Sequence, residues 1–150
     1  MRKRLLTSAF SVLVALTMSA QWTDDASSGA VPAYNAAPPR KGQKLPPILP
    51  KEQLLGPEFQ PYVAHAYELA SRIPATLYQQ PCYCYCDRMG HNSLHSCYES
   101  DHAARCGACL KELYLSYSLH KKGKTAKQIR QAIVRGDWQR VNLESSATMN

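Results

Sequence analysis

All six cysteines of this 150-residue chain lie between Cys82 and Cys109, and His91, His95 and His102 are interleaved with them. The segment opens Pro81-Cys82-Tyr83-Cys84-Tyr85-Cys86, passes Met89, His91, His95 and Cys97, and closes as His102-x3-Cys106-x2-Cys109. Thiolate and imidazole donors together select copper(I), zinc or iron–sulfur clusters. In an extended chain Cys82, Cys84 and Cys86 would face the same way, about 6.5–7 Å apart per pair. Two sulfurs bonded to one ion at about 2.3 Å must stand about 4 Å apart. The triplet must therefore curl around a centre to act together. Cysteines at i, i+2 are also poor disulfide partners, because an unstrained bridge wants Cα atoms about 5.5–6 Å apart.

Cys106 and Cys109 fall near the start of an expected helix, and His102 lies one turn before Cys106 on the same face. A helix N-terminus favours the thiolate form, which is the form that binds metal. The expected ligands are Cys82, Cys84, Cys86, Cys106 and Cys109, followed by Cys97 and His102. His91, His95 and Met89 are candidates to complete or cover the shell. Zinc would take Cys106 with Cys109, and Cys82 with Cys86, as paired ligands. Copper(I) suits more than four thiolates and is placed ahead of zinc. The spacing matches neither ferredoxin pattern. Two other readings stay open: three structural disulfides, with 15 possible connectivities, and a redox-active CxxC, although a thioredoxin-like βαβ pattern is missing.

PCYCYC, followed by H-x-x-L-x-x-C and H-x-x-x-C-x-x-C, resembles the bacterial exported proteins named for a PCYCGC motif. The resemblance spans residues 59–138. Tyr85 stands where that motif has glycine, and no cysteine precedes Cys82 to serve as the lipoprotein cysteine of some members. The resemblance implies the cysteine set and an exported setting; the family name describes a motif and carries no activity.

Three helices must position these side chains. Gly56-Pro57 is expected to open the first, with Tyr62, Ala66, Leu69, Ala70 and Ile73 on one face and Pro74 as its stop. The second is expected from Ser100 or Asp101, with Cys106, Cys109, Leu110, Leu113 and Tyr117 on one face and a stop at Lys121-Lys122-Gly123. The third is expected from Thr125 to about Arg135, with a Thr125/Gln128 capping box and Gly136 at its end. No strand alternation is convincing. Tyr62, Tyr67, Tyr114 and Tyr117 read as core packing, His65 as a partly exposed surface residue and His120 as helix C-terminal charge. The expected fold is mostly α: a small helical domain with a Cys-rich loop over residues 51–140. About 90 residues make a core small enough to gain from a staple.

Residues 1–20 read as a signal peptide, with Arg2-Lys3-Arg4 ahead of an apolar run too short to span a bilayer. Residues 21–50, where six of the ten prolines fall, read as a disordered linker. Residues 141–150 read as a polar tail. The expectation is an exported protein, periplasmic or extracellular, with no membrane span after cleavage. Such a setting permits both disulfides and metal handling. The formal charge is +7; without Arg2, Lys3 and Arg4 the 18 basic residues become 15 against 11 acidic ones, or +4. That is too sparse for a nucleic-acid stripe. Gly123-Lys124-Thr125 lacks the earlier glycine of a phosphate loop. No Ser/His/Asp arrangement is present either, so the expectation is a non-enzyme. Its partners would be a metal ion and another envelope metal-handling protein.

Overall fold

The computed structural model describes residues 30–150. The expected signal peptide and the first part of the linker lie outside the described residues. The described chain is helical, without strands. It contains α1 (Pro61–Arg72), α2 (Pro74–Leu77), α3 (Gly107–Lys121), α4 (Ala126–Val134) and α5 (Leu143–Ser146), joined by short 3-10 turns. No described helix is long and apolar enough to cross a membrane.

α1 buries Val63, Ala64, Ala66, Tyr67, Leu69 and Ala70: the expected Ala66, Leu69 and Ala70 lie inside, Val63, Ala64 and Tyr67 widen the face, and Tyr62 is only half-buried. It begins later than expected. Pro61 takes the first helical position, while Gly56-Pro57 forms a preceding turn in which the Phe59 N–H donates to the Gly56 carbonyl at 3.1 Å. Pro74 both ends α1 and opens α2, since proline's missing N–H costs nothing at a helix start. α4 carries the expected capping box between Thr125 and Gln128, and Gly136 follows in left-handed conformation at φ 79°.

α3 is the hub, in contact with α1, α2, α4 and α5. It buries Cys109, Leu110, Glu112, Leu113, Tyr114, Ser116 and Tyr117, a wider face than the expected stripe, as befits a helix enclosed by neighbours. It also starts later than expected. Residues Asp101–Arg105 form a 3-10 turn, and Cys106 at φ −125°, ψ 107° interrupts the helical path before Gly107. The cause lies in α1. The Ala104 N–H donates to the Tyr67 hydroxyl at 3.0 Å, and that hydroxyl donates to the Ser100 carbonyl at 2.8 Å. Side-chain bonding thus replaces the intrahelical ladder.

The large buried tyrosines hold the cysteine-bearing chain to the helices. Tyr98 donates to the Cys109 carbonyl at 2.9 Å, and Tyr114 to the Tyr62 carbonyl at 2.7 Å. Tyr67 and Tyr98 meet edge to face at 4.8 Å. Residues 30–50, expected as linker, have no helix or strand but run against the domain. Asn35 donates to the Tyr78 carbonyl at 3.0 Å, the Leu49 N–H to the Tyr98 carbonyl at 2.9 Å, and the Arg130 guanidinium lies over Tyr34. The expected polar tail includes α5, and the Met149 carbonyl lies 2.7 Å from His65 Nε2.

Candidate metal centre

The cysteine triplet curls around a centre, its sulfurs standing closer than the about 4 Å of two ligands on one ion. The Tyr85 N–H closes a turn on the Cys82 carbonyl at 3.1 Å, and Tyr85 itself is left-handed at φ 56°. That single inversion sends the chain into a 3-10 turn at Cys86–Met89. The outcome is Cys82 Sγ 3.0 Å from Cys84 Sγ, and Cys84 Sγ 2.6 Å from Cys86 Sγ. Tyr85 occupies the glycine position of a PCYCGC motif, and its backbone shows why glycine suits it: the left-handed region costs a non-glycine residue about 1–2 kcal/mol.

Three other elements close on this loop. α3 brings Cys109 to 3.3 Å from Cys82 and 3.5 Å from Cys84. The 3-10 turn Leu94–Tyr98 supplies Cys97, fully buried. The turn Asp101–Arg105 supplies His102, whose Nε2 lies 2.9 Å from Cys86 Sγ. The donor atoms sort into two groups of four, each with all members within 4.8 Å of one another: Cys82, Cys84, Cys97 and Cys109, and Cys84, Cys86, Cys97 and His102. Either group could hold a metal ion. All six cysteines are free thiols.

The break at Cys106 reshapes the expected helix-borne wall. His102, Cys106 and Cys109 do not share one helix face; His102 meets Cys86, and Cys106, half-buried at the α3 N-cap, stands outside both groups. Cys97 belongs to both. His91 covers the centre, with Nδ1 3.4 Å from Cys97 Sγ and its ring edge-on to His102 at 4.9 Å. His95 is buried but turns to Glu99 at 3.0 Å, and Met89 is exposed.

Ionisation is also distributed differently from the expectation of a helix-activated CxxC. The thiols of Cys106, Cys109, Cys82 and Cys97 donate toward Cys84 and hold it far below the ordinary thiol range. Cys109 is pushed far above that range by Cys106, Cys82, Cys84 and Cys97 around it, and by burial. For Cys106, Cys109 pulls down, while Cys84 and burial prevail and raise it.

Glu112 was not expected from the sequence. It is fully buried on α3, and its Oε1 accepts the Tyr83 N–H at 2.8 Å, which pins the cysteine loop between Cys82 and Cys84. Burial raises its pKa to about 8, against the pull of the Tyr83 N–H and Cys82. One clue was available: Glu112 follows Cys109 by three residues, so a helix puts both on one face.

These features define a small helical domain built around a cluster of cysteines and histidines. The family of proteins of unknown function with a PCYCGC motif matches residues 48–139, and the chain belongs to that family. No curated protein and no solved structure matches it.

Proposed function

We propose that this protein binds soft metal ions, copper(I) before zinc, and sequesters or hands them on in the cell envelope. The observation that carries the reading is the convergence of five sulfurs and the His102 imidazole, from four separate elements, into two compact donor groups. Chance packing of small apolar side chains does not require alternate residues of one loop to point to one centre. Thiolate-rich sets of this kind favour copper(I) and zinc over hard cations, and five thiolates exceed what one tetrahedral zinc uses. Cys82, Cys86, Cys97 and Cys109 are buried, while Cys84 and His102 are half-buried. An edge of that kind is where a partner's ligand would enter during transfer. The envelope setting rests on the charged and apolar N-terminus. The role is one of binding and not catalysis.

The test is metal content together with free-thiol count on protein purified anaerobically from the cell envelope. The proposal expects bound copper or zinc, and six thiols titrating once the metal is removed. Three disulfides with no metal would replace it with a stapled interaction module.

A further inference from the structure

We infer that the centre is dinuclear, with Cys84 and Cys97 as bridging thiolates shared by two ions. The inference rests on the metal-binding reading above and adds its stoichiometry and ligand assignment. The two donor groups are not separate sites. They have Cys84 and Cys97 in common, and each adds a private pair: Cys82 with Cys109, and Cys86 with His102. Six donors divided in this way give two four-ligand sites sharing an edge. A thiolate sulfur has lone pairs enough to bond two ions, which a neutral imidazole nitrogen does not, and both shared residues are cysteines while the lone histidine is private to one group.

The contacts agree with that partition. Cys84 lies between the pairs, 3.0 Å from Cys82 and 3.5 Å from Cys109 on one side and 2.6 Å from Cys86 on the other. No side-chain contact joins Cys86 to Cys82 or Cys109, whereas each private pair is in contact, at 3.3 Å for Cys82 and Cys109 and 2.9 Å for Cys86 and His102. The fold supplies the private pairs from different elements. One ion would tie the loop to α3, and the other would tie it to the turn Asp101–Arg105. Cys97 is fully buried and comes from a third segment, so both ions would be fixed to the core side.

Zinc(II) is the probe, because it takes four ligands at thiolate and imidazole sites. Native mass spectrometry of the anaerobic protein during zinc(II) titration should show uptake ending at two ions per chain. Cys82→Ser and His102→Ala, each touching one group, should end at one ion. Cys84→Ser and Cys97→Ser, which touch both groups, should retain neither tightly. Any end point other than two for the unaltered chain overturns the dinuclear centre. If that end point is zero and copper(I) uptake is zero too, the metal-binding reading falls with it. Should a bridging variant fail to fold, the unaltered chain loaded with cadmium-113 decides. Two resonances split by coupling through shared sulfurs support the bridge, and two unsplit resonances, or one, overturn it.

Discussion

α1, α3 and α4 are stabilised by apolar burial, whereas residues 82–106 pack into the same molecule with little regular structure of their own. The helices bury Leu69, Leu113, Tyr114, Ile129 and Ile133 almost completely, and away from their ends the backbone bonds within each helix. The cysteine segment has only single 3-10 turns, and scattered bonds tie its backbone to the rest of the domain, two of them to the Tyr67 hydroxyl of α1. The Leu94 N–H donates to the Gln80 carbonyl at 2.8 Å, and the Tyr83 N–H to Glu112. Sulfur fills much of its interior beside Leu94, Tyr98 and Ala103: Cys82, Cys86 and Cys97 are buried, and they meet the buried Cys109 of α3. The contrast teaches where each region's order originates. A helix face is self-sufficient once covered, while a loop of free thiols needs something to join them.

The largest expected effect follows from removing that joining element. Chelation under reducing conditions should accelerate amide hydrogen exchange through residues 82–106 while α1 and α3 stay protected. At free metal a thousandfold above Kd, binding adds about 4 kcal/mol to stability, so the metal-free chain should melt about 10 °C lower or more. Uniform exchange changes across both regions would erase the contrast.

Glu112 sharpens the comparison, because it is the scaffold's own hold on the loop. In the metal-free chain its folded pKa is raised to about 8 from an ordinary 4.5. Between those values the folded state keeps a proton that the unfolded chain has released, so this group's contribution to stability falls as pH rises. Cys84, depressed in the fold, contributes the opposite slope up to about pH 9 in both chains compared. The measurement is therefore a difference. Glu112→Gln, which retains an acceptor for Tyr83, should gain stability relative to the native chain from pH 5 to 8 in denaturant titrations. A constant difference would mean that Glu112 ionises normally.

Cys106 separates ligand from cap. It sits at the α3 N-cap without a side-chain capping bond and outside both donor groups. Cys106→Ser should therefore leave the metal count unchanged and add about 0.5–1 kcal/mol through a better cap. Loss of metal in this variant would return Cys106 to the ligand set.

Tyr85 tests whether the loop needs its inversion. Tyr85→Gly relieves left-handed strain of about 1–2 kcal/mol but loosens the unfolded chain by about 0.4–1 kcal/mol, for a net gain of about 0–1.6 kcal/mol. Tyr85→Val, β-branched at a positive φ, should cost more than 1 kcal/mol. Chemical denaturation of the two variants distinguishes them, and equal stability would mean that the loop does not need the inversion.

The helices were legible in the sequence because apolar spacing, proline and capping residues act locally. Pro74, Gly123, the Thr125/Gln128 box and Gly136 mark boundaries that the fold uses. The requirement that Cys82, Cys84 and Cys86 curl followed from bond lengths alone. What the sequence concealed was long-range. Tyr67, from α1, diverts the backbone around Ala104 and splits the expected second helix at Cys106. That moves His102 to Cys86 and leaves Cys106 aside. Residues 30–50 look like linker by composition, yet single contacts through Asn35, Leu49 and Tyr34 hold them against the domain, and no periodicity announces such contacts.

The most direct test of the central claim is X-ray absorption spectroscopy at the copper and zinc edges of the anaerobically purified, full-length protein. The bound metal should show a first coordination shell dominated by sulfur, at about 2.3 Å for zinc, with a minor nitrogen contribution from His102. A shell of oxygen and nitrogen without sulfur would contradict it.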